Sequence, residues 1–451
     1  MSDYDAIVIG AGPAGEVCAG ELADGGLKVA VVDRELVGGE CSYWACIPSK
    51  TLLRPGEALT GAREAPGARE AVTGQIDSRQ AFAWRDFMVS DYDDANAAKW
   101  LTDKGIDLVR GSARITGPGT VTVDGTAYSA THIVLATGSD PVIPPVPGLR
   151  EAPGVWTNRE ATGLTELPRR LLVLGGGPVG VEMAQALARM GVSVALVEGM
   201  EHVLPREPKP LGEALGKALA ADGIELHFGQ LASAVSIDGD DYVVSFPDGS
   251  ELRGDKLLVA TGRTPRTRGL GLDAIGIEPG ERGNVEVDDR MAAGENVWAI
   301  GDVNGAWALT YVGKYQGRIA AANILGESRK ASFDAVPRVV FTDPQAASVG
   351  EAEGPLASTT LLEDVPKTSA YTREYADKPW FMTLVSDGER LTGAYALGPE
   401  AGEWLQQATL AIRAKVPLDV LRDTIQPFPT FSEVFVQALA ELGAKVPASV
   451  G

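Results

Sequence analysis

The clearest hydrophobic blocks along the chain are short, β-branched and bounded by polar residues or glycine. Ile7-Val8-Ile9, between Asp5 and Gly10, has the pattern of a strand buried on both faces. Gly10, Gly12 and Gly15 follow at G-x-G-x-x-G spacing, then a helical stretch to about Ala23 and a second apolar run, Val29-Ala30-Val31-Val32, ending in Asp33. Strand, glycine turn, helix, strand and terminal acid make a complete dinucleotide-binding unit: the glycines admit a pyrophosphate to the helix N-terminus, and the acid takes ribose hydroxyls. The order then repeats. Leu171-Leu172-Val173-Leu174 leads to Gly175, Gly177 and Gly180, a helix to Met190, and Val194-Ala195-Leu196-Val197 ending in Glu198. Each unit is followed by its own strand closing in Ala-Thr-Gly, at Thr137-Gly138 and at Thr261-Gly262. One such glycine spacing is weak, but two complete units predict two bound dinucleotides.

Between these blocks, the stretch from Leu52 to Lys104 is predicted helical around a Gly/Pro break, and short β patterns run from Ile106 to Tyr128. The proline-dense segment from Pro141 to Gly148 marks a domain border. A further strand, Val297 to Ile300, ends in Gly301-Asp302, where an acid can reach a cofactor sugar. From Pro337 the pattern changes to strands at 338–341, 380–385 and 391–397, then helices. It contains no phosphate loop and so reads as an interface module. The predicted fold class is α/β: two Rossmann-like dinucleotide-binding domains plus a C-terminal α+β domain. The expected borders are 1–148 with 265–332, 149–264, and 333–451.

A chain of 451 residues carries two to four domains. The net charge of −21 argues against nucleic acid or an anionic membrane as partner and says nothing specific about the small-molecule substrate expected instead. No apolar run reaches membrane-spanning length, and Met1-Ser2-Asp3-Tyr4-Asp5 lacks the basic start of a signal peptide, so a cytoplasmic location is expected. Cys18 falls within the first helix as a small core residue. Cys41 and Cys46 form a C-x4-C pair behind Gly38-Gly39, with Lys50 one turn after Cys46. No second Cys/His cluster completes a zinc site, so no metal is expected. A pair opening a helix can close a reducible disulfide whose thiolate the helix amides stabilise; two buried structural cysteines are the other reading.

With these motifs in order, the chain resembles the flavoprotein disulfide reductases, the family of glutathione reductase, dihydrolipoamide dehydrogenase and mercuric reductase. The resemblance covers essentially the whole length. It implies FAD at Gly10, Gly12, Gly15 and Asp33, closed over by Gly39, Thr137, Gly138, Gly262, Arg263, Gly301 and Asp302. Residues 1–148 with 265–332 would then be the FAD-binding domain, 149–264 the NAD(P)-binding domain with Gly175, Gly177 and Gly180, and 333–451 the dimerisation domain. By the same resemblance, electrons pass from nicotinamide through FAD to Cys46, Cys41 is the outer thiol that meets substrate, and Lys50 and Glu182 form an ion pair beside the flavin. Glu198 favours NADH over NADPH, because a carboxylate accepts ribose hydroxyls and repels a 2′-phosphate; Gly199-Met200-Glu201-His202 supply no arginine, Arg206 being the nearest.

One segment departs from the family. Members that reduce disulfides carry His-Pro-Thr-x-x-Glu near the C-terminus, facing the partner subunit's cysteines in a homodimer. Here it reads Phe428-Pro429-Thr430-Phe431-Ser432-Glu433, and the histidines His132, His202 and His227 all lie far upstream. Phe428 removes the general base while Glu433 remains. The same replacement occurs in 2-ketopropyl-coenzyme M oxidoreductase/carboxylase, whose chemistry must exclude protons. Tyr43 and Trp44, between the cysteines, are bulkier than the residues usual there; they either pack against the flavin domain or reshape the substrate pocket. The leading expectation is an FAD-dependent NADH oxidoreductase with an active Cys41/Cys46 pair and an atypical thiol-linked substrate. The alternatives are a quinone or dye reductase, a thioether-cleaving reductase/carboxylase, and a flavin-loaded subunit without catalysis.

Overall fold

The computed structural model describes residues 3–372 and 378–445. Met1 and Ser2 of the leader reading, and 373–377 and 446–451 of the expected interface domain, lie outside the described residues. The chain divides into two compact units, each discontinuous in sequence.

The first unit contains Met1–Pro48, Ala83–Val142 and Gly262–Ser332. Its parallel core pairs Tyr4–Ile9 with Val29–Asp33 on one side and Thr126–Leu135 on the other. Asp107–Arg110 and Val297–Ala299 extend it outward. Ile7 sits between Ala30 and Ile133 in register. The β-branched runs are buried on both faces, as a covered parallel sheet requires. The helices Pro13–Asp24 and Thr310–Ile324 approach so closely that a Cβ on Gly317 would come within 2.7 Å of the Ala14 carbonyl oxygen.

The predicted helix over 52–104 is three helices: Cys46–Glu64, Ser78–Met88 and Ala95–Asp103. Between the last two, Ser90, Asp91 and Tyr92 have φ of 52°, 51° and 59°. Three successive non-glycine residues in left-handed backbone cost about 1–2 kcal/mol each, which the packing around them must offset.

The second unit contains Ser49–Phe82, Ile143–Thr261 and Phe333–Gly451. A four-stranded parallel sheet in the order Glu225–Phe228, Ser193–Glu198, Arg170–Leu174, Lys256–Val259 carries the second glycine loop. A five-stranded antiparallel sheet forms the C-terminal module. Two of its strands, Gln345–Gly350 and Leu356–Leu361, add to the three predicted there. Leu356–Leu361 is inverted in polarity: Ser358 and Thr360 face inward, and the Ser358 hydroxyl donates to the Ala438 carbonyl at 2.8 Å, while Leu361 is exposed. Leu171 and Val173 share a core with Val340, Phe381 and Tyr395, so these two sheets are packed together. No helix among the described residues is long and apolar enough to cross a membrane.

Candidate active site

The first glycine loop is fixed by close backbone approach. A Cβ on Gly10, whose φ is +111°, would lie 2.3 Å from the Ala136 carbonyl oxygen, and one on Gly15 would lie 1.9 Å from the Gly10 carbonyl oxygen. Gly12 differs: a Cβ there would meet nothing within 4 Å. The loop is thus packed from behind and open in front, at the helix N-terminus where a pyrophosphate fits. Asp33 Oδ2 accepts the Ala11 N–H at 2.6 Å and Oδ1 accepts the Glu35 N–H at 2.8 Å, which holds the carboxylate at the strand end. These residues fit FAD. In the second unit the pattern repeats. Cβ atoms on Gly175 and Gly180 would meet the carbonyls of Ala260 at 2.4 Å and Gly175 at 1.9 Å, and Gly177 is open. Glu198 accepts the N–H of Gly176 at 2.7 Å and of Met200 at 2.9 Å. This second cradle fits a nicotinamide dinucleotide.

Around the first loop, the Thr137 hydroxyl donates to the Arg266 carbonyl at 2.7 Å, beside Gly138. The Ser139 hydroxyl donates to Asp302 Oδ2 at 2.6 Å and accepts from Arg263 Nε at 2.7 Å. Arg263 also lies 3.8 Å from Glu40, the neighbour of Cys41. Gly301, beside Asp302, donates its N–H to the buried Gln316 at 2.7 Å, while Gln316 Nε2 is buried without a partner. Gly262, with φ of +134°, precedes Arg263. Gly39 crosses the glycine loop so closely that a Cβ on it would lie 2.9 Å from the Gly12 Cα. The cysteine segment is therefore seated on the first cradle.

The two cysteines lie in separate helices: Cys41 is in the middle of Gly39–Tyr43, and Cys46 is the first residue of Cys46–Glu64. Both are thiols, in hydrogen-bond contact with each other. Cys46 Sγ is 3.3 Å from the Thr310 hydroxyl, at the first turn of Thr310–Ile324. The hydrogen bond with Cys46 and then burial push the Cys41 thiol far up, while Thr310 and the Lys314 ammonium oppose the rise. Cys18 is fully buried, and burial pushes its thiol up to about 12, as for an inert core residue. Thr310, Lys314, Ser139 and Gln316 escaped the sequence reading, because only tertiary packing brings them to the loop. Glu16, one residue past Gly15, was also missed: burial pushes its carboxyl up to about 7, against the pull of Lys314.

Lys50 stands one helical turn after Cys46 and donates to Glu182 at 2.7 Å. Glu182 is nearly buried and also accepts the Phe341 N–H at 2.9 Å, and the Phe341 ring lies 4.7 Å from the Lys50 ammonium. The charge is paired, hydrogen-bonded and held over an aromatic face, as a partly buried lysine requires. Phe428 is 72% exposed in the single chain, an unusual position for an aromatic ring. Glu433 Oε2 accepts the Thr430 N–H at 3.3 Å in a helix-capping box, so its carboxylate is engaged by its own turn. Among the described residues no cluster of His, Cys, Asp and Glu could hold a metal ion.

The chain is similar along its length to known proteins. The family model for pyridine nucleotide-disulphide oxidoreductases matches residues 4–317, and that for their dimerisation domain matches 336–439, which indicates a homodimer. A dihydrolipoyl dehydrogenase of Thermus scotoductus is 36% identical, with 98% of each chain covered. A mercuric reductase of Acidithiobacillus ferrooxidans is 34% identical over 94% of this chain and 80% of that one. Among solved structures, the Cu(II) complex of the HOCl-induced flavoprotein disulfide reductase RclA from Escherichia coli superposes with a TM-score of 0.86 at 27% identity, covering 98% of this chain and 100% of that one. The cradles, the cysteine pair and these matches together make the chain a member of the pyridine nucleotide-disulphide oxidoreductase family, an FAD-dependent oxidoreductase.

Proposed function

We propose that this enzyme passes electrons from NADH to the Cys41/Cys46 pair and on to an atypical thiol-linked substrate. In this reading 1–148 with 265–332 hold FAD, 149–264 hold the nucleotide and 333–451 carry the dimer contact. The carrying observation is that Cys41 and Cys46 lie in thiol–thiol contact at the start of the Thr310 helix, seated on the first glycine cradle. FAD, when bound, supplies a two-electron link between nicotinamide and the thiols. The Thr310 hydroxyl, 3.3 Å from Cys46 Sγ, holds that sulfur in place beside Cys41. Cys41 attacks a substrate sulfur and forms a mixed disulfide, while the bond from that sulfur to its leaving group breaks and the leaving group departs with a proton as the first product. Cys46 then attacks the Cys41 sulfur, closing the intramolecular disulfide and releasing the second thiol. Phe428, exposed on each chain, faces the partner subunit's Cys41 and excludes water and protons where a general base would stand. Ordinary disulfides are therefore poor substrates, and a substrate that must be kept from protons fits the pocket better; cleavage of a thioether is one such chemistry.

Two results test the nucleotide assignments. Gly12 has extended backbone (φ −75°, ψ 176°) that any residue adopts, and its Cβ would touch no protein atom. Gly12→Ala should leave the apoprotein within about 0.5 kcal/mol of wild type yet weaken FAD binding at least about tenfold, because the methyl occupies the space of the pyrophosphate. Chemical denaturation of the apoprotein and fluorescence titration with FAD check this, and unchanged FAD affinity would remove the first cradle from the assignment. Glu198 sets nucleotide choice: kcat/KM should be at least roughly tenfold higher with NADH than with NADPH, and Glu198→Ser should narrow that ratio. Faster turnover with NADPH in the wild type would sink the NADH assignment.

A further inference from the structure

Tyr43 and Trp44 sit between the two cysteines, and the ring packed against both comes from the left-handed turn. The Tyr92 ring stacks on Trp44 at 6.3 Å between centroids and 30° between planes, and lies 6.4 Å from Tyr43. Tyr43 and Trp44 are themselves 5.6 Å apart. The same short segment also reaches the loop by hydrogen bonds. Asp94 accepts the Val37 N–H at 2.7 Å and is held by Arg110 at 2.6 Å, and the Val37 carbonyl accepts the Tyr43 hydroxyl at 3.0 Å. The Tyr92 backbone makes its turn at positive φ, as do Ser90 and Asp91, a conformation that non-glycine residues keep only when their surroundings impose it. Its hydroxyl is buried without a hydrogen-bond partner, so the ring, not the oxygen, is what the packing holds.

We infer that the turn at Ser90–Tyr92 is a clamp on the redox loop: Tyr92, acting through Trp44, and Asp94, acting through Val37 and Tyr43, hold Cys41 and Cys46 in the contact from which the disulfide forms. The inference rests on the redox reading of the cysteine pair. Both residues are positioning residues. Fixing two thiols next to each other raises their effective concentration, and that concentration sets the equilibrium of the intramolecular disulfide against an external thiol couple. The exchange is balanced: glutathione disulfide is cleaved to two glutathione thiols, while the Cys41 and Cys46 thiols give up two electrons and two protons and form one S–S bond. Loosening the loop lowers the effective concentration and makes the protein disulfide easier to reduce.

The test equilibrates the FAD-loaded enzyme anaerobically in glutathione redox buffers, then alkylates it and counts free Cys41 and Cys46 by mass spectrometry. Tyr92→Phe should titrate within about twofold of wild type, because the ring is kept and the hydroxyl has no partner to lose. Tyr92→Ala should shift the equilibrium at least about tenfold toward the dithiol, roughly 30 mV for this two-electron couple. Tyr92→Leu, which keeps bulk without a ring, serves if the alanine variant fails to fold and should shift in the same direction by at least about threefold. A folded alanine or leucine variant that titrates like wild type overturns the clamp, as does a phenylalanine variant displaced as far as alanine. Wild type that loses no thiols in any buffer overturns the redox reading itself, a separate outcome.

Discussion

Phe428→His should raise the reduction of a common disulfide such as lipoamide or glutathione disulfide at pH 7 by at least tenfold, within the roughly 10²–10⁴-fold that a placed general base contributes. The Cys41 thiol is pushed above its ordinary range, first by its hydrogen bond with Cys46 and then by burial. Only the thiolate is nucleophilic, so below that raised pKa the thiolate fraction, and the wild-type rate with it, climbs with pH. In the proposed dimer, an imidazole at position 428 would take the Cys41 thiol proton and stabilise the thiolate as imidazolium, flattening the climb. Glu433 cannot stand in for it, because a carboxylate beside a thiolate opposes ionisation, and here it caps its own turn. The same substitution should weaken any native reaction that depends on excluding protons. Steady-state rates from pH 6 to 10 check both statements. Rapid wild-type turnover of a common disulfide at pH 7, or an unchanged profile in the variant, would remove Phe428 from control of the thiol chemistry.

The second large effect is at the thiol itself. Cys41→Ser replaces the attacking sulfur by a hydroxyl that does not ionise near neutrality, so turnover of any thiol-linked substrate should fall by about 10³-fold or more. Reduction of a quinone or dye by NADH should persist, because that route needs neither cysteine. Assaying both acceptors on one preparation separates the two mechanisms. Equal loss of both would point to a damaged fold, which FAD content reports. Unchanged activity with the physiological acceptor would favour the quinone or dye reading.

The glycine loops were legible in the sequence because their spacing recurs, although what requires Gly10 and Gly175 is a carbonyl oxygen far along the chain, on Ala136 and Ala260. Gly10, Gly15, Gly175 and Gly180 are required by carbonyl oxygens that a Cβ would strike, and Asp33 and Glu198 accept amides within a few residues of their loops or strand ends. The Lys50–Glu182 pair joins residues 132 positions apart, and only the family resemblance suggested it. Thr310 had no local signal at all: its hydroxyl matters because a distant helix brings it to Cys46. The strand Leu356–Leu361 was hidden by inverted polarity, since its inward residues Ser358 and Thr360 are polar. The turn at Ser90–Tyr92 was hidden for the opposite reason. Left-handed backbone is usually announced by glycine, and here packing imposes it on residues that do not favour it.

Reducing equivalents from NADH should arrive at Cys41 and Cys46. The most direct test is an anaerobic titration of the air-oxidised, FAD-loaded enzyme with NADH, quenched by alkylation and read peptide by peptide. Cys41 and Cys46 should become alkylated together as NADH is consumed, while fully buried Cys18 stays unmodified in the folded protein. Consumption of NADH with no new thiols at Cys41 and Cys46 would contradict that transfer.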